Sequence, residues 1–252
     1  MRVYLFKRLF KTILNPMKTV LYTPESRGHA NHGWLDTHHT FSFADYYDPE
    51  RIQFGTLRVL NDDRVAAGEG FGTHPHDNME IISIPLFGDL EHKDSMGNHG
   101  VIFTGEIQVM SAGTGITHSE FNKNKDKEVR FLQIWVFPNK RNVTPRYDQI
   151  SLAEIEKPNE LFLILSPNPN DQGVWIHQNA WFHLGDLSKG WEGNYELKDP
   201  KNGVYFFVIE GEVTVAGQKL NQRDGLGVSE TESIEITANS LSKLLVMEVP
   251  IQ

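Results

Sequence analysis

From residue 17 onward, short runs rich in β-branched and aromatic residues alternate with clusters of Gly, Asn, Asp and Pro. That rhythm admits strands and turns and leaves little room for helices. In the first half the runs are 54–60, 79–87, 101–104, 106–110 and 129–137. The breaks are Asn61-Asp62-Asp63, Gly88-Asp89, Gly97-Asn98 and Gly113-Thr114-Gly115. Residues 138–145 interrupt the pattern, and it restarts at 161–165, 174–177, 181–184, 204–209, 213–215, 234–236 and 244–249. Within 208–215 the alternation on either side of Glu210-Gly211 predicts a β-hairpin. Only 151–157 predicts a helix, with Ser151 placed to cap it and Glu154 three residues on. Many short strands with few helices predict an all-β chain of sandwiches or barrels. The break near 140 divides it into two units of about equal size.

Composition narrows the chemistry. A length of 252 residues gives each unit enough chain for a core of its own. The net charge of -9 argues against a nucleic-acid partner, which needs a concentrated basic face. No window approaches the roughly 18 apolar residues of a membrane span, so a soluble, cytoplasmic protein is expected. Residues 1–16 carry Arg2, Lys7, Arg8 and Lys11 with no acid. They read as an N-terminal extension outside a fold that begins at Met17. The chain has no cysteine, so any metal must be held by imidazole and carboxylate, donors that suit Fe, Mn, Ni, Cu or Zn.

Such donors concentrate between residues 68 and 120. His74-Pro75-His76 sets two imidazoles at i and i+2, on one face of an extended strand. Pro75 also disfavours the α region for His74. His118-Ser119-Glu120 repeats the spacing after the Gly113-Thr114-Gly115 turn. Two antiparallel strands presenting both pairs inward would offer one ion three nitrogens and one oxygen. An ion of six-fold coordination would keep two positions open.

The layout Gly68-x5-His74-x-His76-x3-Glu80-x7-Gly88 closely resembles the first motif of the cupin superfamily. Gly105, Gly113 and His118 echo the second motif, with Ser111 where proline is usual and a longer gap to the histidine. Three longer stretches are similar to bacterial pirins associated with quercetin dioxygenase activity. They are Arg27-Gly28-His29-Ala30-Asn31-His32-Gly33-Trp34-Leu35 with 37–47, then Gly72-Thr73-His74-Pro75-His76 with Met79-Glu80, and 88–120 from Gly88-Asp89-Leu90 to His118-Ser119-Glu120. The likeness spans 19–150 and is less characteristic beyond.

The resemblance implies a bicupin, two β-barrels of the double-stranded β-helix or jelly-roll kind. A metal-binding barrel would cover 17–140, and a barrel without metal ligands 141–252. It makes His74, His76, His118 and Glu120 the ligands of one divalent metal, Fe(II) first, with Mn, Ni, Cu, Zn or Co as alternatives. Glu80 becomes a supporting acid. It further implies a dioxygenase that opens a flavonol such as quercetin with O2. The flavonol's 3-hydroxyl and 4-carbonyl would chelate the ion, and Glu120 would accept the hydroxyl proton. Some pirins are instead metal- or redox-dependent binding partners of transcription factors or metabolic enzymes, so the alternative expectation is a regulator with a protein partner.

The remaining histidines are expected to be structural. His29, His32, His38 and His39 would fix a long loop by hydrogen bonds. His92 and His99 would flank the Gly97-Asn98 turn or rim a pocket. His177 and His183 lie in separate runs without a ligand-type neighbour two residues away. Phe41, Phe43, Tyr46 and Tyr47 are expected to pack.

Overall fold

Strand follows strand through residues 17–251, the part of the chain that the computed structural model describes. The reading of 1–16 as an extension lies outside the described residues. The chain opens with β1 (Lys18–Tyr22), β2 (Gly28–Asn31) and β3 (Leu35–His39). Next come β4 (Leu57–Val65), β5 (Gly70–His76), β6 (Glu80–Phe87), β7 (Leu90–Asp94) and β8 (His99–Ile102). The first half closes with β9 (Glu106–Ser111), β10 (Ile116–Asn122), β11 (Val129–Val136) and β12 (Arg146–Ser151). The second half holds β13 (Phe162–Ser166), β14 (Val174–Trp175), β15 (Trp181–Leu187), β16 (Glu192–Glu196) and β17 (Asn202–Glu210). It ends with β18 (Val213–Val215), β19 (Gln218–Leu220), β20 (Gly225–Ser229), β21 (Ser233–Ala238) and β22 (Ser242–Pro250). No helix among the described residues is long and apolar enough to cross a membrane.

These strands form two like units, each a seven-stranded sheet facing a four-stranded one. The first unit stacks β12-β9-β6-β11-β4-β3-β2 on β5-β10-β7-β8, and the second β1-β20-β17-β22-β15-β13-β14 on β16-β21-β18-β19. The fold is the all-β bicupin. The units also exchange strands. β1, at the start of the chain, pairs with β20 of the second unit, and β12, beyond the 138–145 break, pairs with β9 of the first.

Alternation explains where the core sits. On the two large sheets one face of each strand joins a single apolar cluster common to both units: Ile82, Ile84, Leu132 and Ile134 from the first, Tyr205, Phe207, Leu245 and Met247 from the second. The opposite faces fill the barrel interiors. In the second unit Val204, Phe206, Val208, Leu244 and Val246 continue into one apolar interior. The first unit differs. Its interior holds two separate small clusters, one around Leu90, Ile102 and Phe131 and one around Ile81, Met110 and Ile116. On the same inward faces sit buried Asp63, Ser83, Gln108 and Gln133. A polar layer through a barrel needs partners, and it marks the site.

Three local expectations are corrected. Asn61-Asp62-Asp63 is not a turn but the middle of β4, paired with both β3 and β11. Asn61 and Asp63 are buried there, because the interior they face is polar. The hairpin over 208–215 does not form either: β17 and β18 belong to different sheets. Glu210-Gly211-Glu212 carries the chain from one sheet to the other. β17 is buried on both faces from Asn202 to Ile209, as befits a central strand. Finally, Ser151 ends β12 opposite Glu106 and makes no capping bond. A single 3-10 turn, Leu152–Glu154, follows it and pins buried Leu152.

Candidate metal centre

The small sheet of the first unit places the candidate ligands. β10 lies between β5 and β7 and pairs antiparallel with each. His118 stands opposite His74 on one side and Asp94 on the other. Its burial alternates along the strand so that Ile116, His118, Glu120 and Asn122 face inward. A register shift between His118 and Glu120 on the β5 side puts Glu120 opposite Phe71, while the unbroken register with β7 sets it opposite His92. Bulges of this kind re-aim side chains beside functional sites.

The outcome is two overlapping groups. One donor atom from each of His74, His76 and His118 lies within 4.8 Å of the others, and the same holds for His92, His118 and Glu120. The three predicted imidazoles thus converge, while Glu120 meets them through His118, beside a histidine that sequence reasoning had set aside. The His74, His76 and His118 rings are 4.5–4.9 Å apart, centroid to centroid. His74 Nδ1 sits 2.8 Å from Gly72 O. A carbonyl only accepts, so Nδ1 carries the proton and Nε2 keeps its lone pair. Trp135 packs edge-on against His76 at 4.9 Å, with Phe43 behind it at 5.3 Å.

Whether these residues fit a cation is decided by their charge and their unmet bonds. Burial, with neighbouring imidazoles, pushes His76 down to about 4 and His118 down to about 3. Both are therefore neutral donors at physiological pH. His76 Nε2 and both ring nitrogens of His118 are buried without a hydrogen-bond partner. Buried polar atoms are rarely left so. Lone pairs gathered on a common point suit a borderline divalent cation.

Glu120 is 2% exposed and accepts two bonds, from Ser83 Oγ to Oε1 at 2.9 Å and from Gln133 Nε2 to Oε2 at 2.7 Å. Both fix the orientation of the side chain. Asp63 is buried in the same polar layer, and burial, reinforced by Asp62 and Glu120 against a bond from Thr37, pushes it up to about 7. His92 is fully buried; its Nε2–H donates to Asp94 at 3.2 Å. Asp94 in turn fixes the Gly97 turn through the backbone of Met96 and Asn98. Glu80 is elsewhere. Its carboxylate accepts from Ser111 Oγ at 2.6 Å, on the strand face whose apolar residues fill the core between the units.

A cavity of about 630 Å³ opens beside His76, bounded by Pro75, Asp77, Ser95, Thr114 and Thr117. Sequence reasoning missed His92 and Asp94, although their i, i+2 spacing is the signal that found His74 and His76. Ser83 and Gln133 gave no such signal, since nothing local says which carboxylate they meet. Three of the four N-terminal histidines lie on strands, and only His32 sits in the β2–β3 connection. His29 lies on β2, His38 and His39 on β3, and His39 Nδ1 is buried 3.0 Å from Asn61 Oδ1. His183 meets Tyr195, whose hydroxyl donates to Glu248 at 3.0 Å.

Comparison with known proteins agrees with this architecture. The family described as Pirin matches residues 22–136, and the family described as the quercetinase C-terminal cupin domain matches 163–249. An Escherichia coli K12 protein named quercetin 2,3-dioxygenase is 43% identical over 224 residues, covering 89% of this chain and 95% of that one. A pirin-like protein of Caulobacter vibrioides is 36% identical over 88% of this chain and 95% of its own. The crystal structure of the Escherichia coli bacterial pirin YhhW in complex with nickel(II) superposes with a TM-score of 0.89 at 41% identity, covering 93% of this chain and all of that one.

Proposed function

The chain belongs to the pirin family, and we propose that it is a metal-dependent dioxygenase that opens a flavonol such as quercetin with O2. The observation that carries this reading is a cavity set against His76, whose buried Nε2, like both ring nitrogens of neighbouring His118, has no protein partner. The name of the 43%-identical Escherichia coli relative supports the reaction class, and the nickel of the related crystal structure supports a divalent ion.

His74, His76 and His118 would hold the ion through nitrogen and Glu120 through a carboxylate oxygen, with Fe(II) first and Mn, Ni, Cu, Zn or Co as alternatives. When bound, the cation supplies Lewis acidity and open positions for oxygen donors. The rest is the work of the chain. At about 630 Å³ the cavity is within the range of small-molecule sites and takes a three-ring ligand. Trp135 and then Phe43 pack in turn behind His76. Glu120, held in place by Ser83 and Gln133, accepts the flavonol hydroxyl proton at a carboxylate oxygen. The second barrel, which lends β12 to the first, would support it and carry no metal ligand of its own. A regulator that reads its metal through a protein partner needs an exposed patch at the ion. His76 borders a cavity instead, which favours the enzyme.

The test is metal analysis of the purified protein followed by an aerobic quercetin assay on wild type, His118→Ala and Glu120→Gln. Wild type should carry about one ion per chain and consume flavonol and O2 together. His118→Ala should lose the ion with its strand content intact, and Glu120→Gln should lose turnover. Stoichiometric metal without consumption of either reactant overturns the proposal.

A further inference from the structure

The β2–β3 hairpin carries a second convergence of donors, on the face of its sheet opposite the barrel interior. His29 and His38 are directly opposed in register, as are Asn31 and Asp36. Because side chains alternate, all four lie on one face. Thr37 and His39, at the intervening positions, are buried on the other. The imidazoles of His29 and His38 stack at 4.4 Å with planes 16° apart, so their edges line up toward the same neighbour. That neighbour is Asp36. Its Oδ1 lies 3.0 Å from His29 Nε2 and 3.8 Å from His38 Nδ1, and the three donor atoms fall within 4.8 Å of one another.

We propose that His29, Asp36 and His38 form a second, solvent-accessible site for a borderline divalent cation such as Zn2+, separate from the barrel centre. Metal–donor bonds of about 2.0–2.2 Å place two donors at a tetrahedral angle roughly 3.3–3.6 Å apart, close to the spacings observed. The carboxylate is pre-oriented. Asn31 Nδ2 donates to Asp36 Oδ2 at 3.1 Å and turns Oδ1 toward the imidazoles, while Asn31 Oδ1 accepts from Gly33 N at 2.8 Å and fixes the turn. Such outer hydrogen bonds tune and orient ligands. Arg64, opposite Asp36 on β4, does not compete for it, since its Nε is 2.6 Å from Glu128. Asp36 and His38 border a cleft of about 190 Å³, which leaves room for water or a small anion as the remaining ligand. Three protein donors plus one open position is the arrangement of a reactive or exchangeable site rather than a saturated structural one.

The experiment is calorimetric titration of tag-free, metal-stripped protein with Zn2+. Wild type should bind two ions per chain with distinct affinities. His29→Ala/His38→Ala should lose one of them, Asp36→Asn should weaken the same one at least tenfold, and His76→Ala/His118→Ala should keep it. Both hairpin variants change exposed or half-exposed side chains, and an unchanged far-UV spectrum verifies their fold. Paramagnetic broadening of the His29 and His38 ring protons by Ni2+ in the His76→Ala/His118→Ala protein gives a second readout. A single binding event in wild type overturns the proposal, as does an isotherm for His29→Ala/His38→Ala that matches wild type.

Discussion

A carboxylate two residues from a histidine can face a metal, a base or a wall, and neighbours on the facing sheet decide which. Glu120 has Ser83 and Gln133. A hydrogen bond to a charged group contributes about 1.5–3 kcal/mol. Gln133→Leu should therefore lower kcat/KM roughly ten- to a hundred-fold, with metal content retained; an unchanged kcat/KM would remove Gln133 from the orientation of Glu120. Glu80 offers a test by pH. Burial pushes it up to about 7, against favourable contacts from Ser111, the His177 backbone and Arg146. The folded chain thus holds this proton more tightly than the unfolded chain. Its contribution is complete below the ordinary carboxylate value and is lost as pH rises through about 7. Glu80→Gln keeps an acceptor for Ser111 and cannot ionise. Its urea midpoint should match wild type near about pH 5 and exceed it by about pH 8; a gap that stays constant across that range refutes the assignment. Of these residues the sequence betrayed the histidines and Glu120, whose types and spacing are local. It hid Ser83 and Gln133, whose meaning is set by a partner far along the chain.

Strands were more legible than their pairings. Runs at 79–87, 106–110 and 129–137 lie within a residue or two of β6, β9 and β11, because each alternates between two apolar environments or one apolar and one polar. Alternation says which residues share a face, not which strand lies alongside. This is why the run through Glu210-Gly211 suggested a hairpin where the chain changes sheets. Gly211 sits at φ 83, and a Cβ there would meet Leu241 O at 2.2 Å. Gly33 has φ 84 with open space around it. Both substitutions to alanine incur the left-handed penalty of about 1–2 kcal/mol, and Gly211→Ala adds a backbone collision. Its loss of stability should be at least twice that of Gly33→Ala, read as urea midpoints at constant m. Equal losses would mean that the crossing between sheets is looser than its contacts imply.

At the scale of the molecule the two units are joined by their largest core rather than by a linker. The apolar cluster common to both large sheets contains Leu60, Ile82 and Leu132 with Tyr205, Phe207 and Met247. Neither half can be removed without exposing it. Unfolding should therefore be one transition, with Trp135 fluorescence in the first unit and Trp191 fluorescence in the second coinciding with far-UV dichroism. Separate midpoints would show that the shared core does not couple them. A fragment of 17–140 also lacks β12, which borders β9, and it should show no cooperative melt of its own. The reciprocal loan has a consequence for biosynthesis. β1 leaves the ribosome early, yet its partner β20 lies roughly 200 residues downstream, a wait on the order of 10–40 s at ordinary translation rates. Until then Val20 and Leu21, still partly exposed in the finished protein, belong to an orphan segment open to any passing nascent chain. Cover for β1 until β20 has been made is thus a need written into the topology.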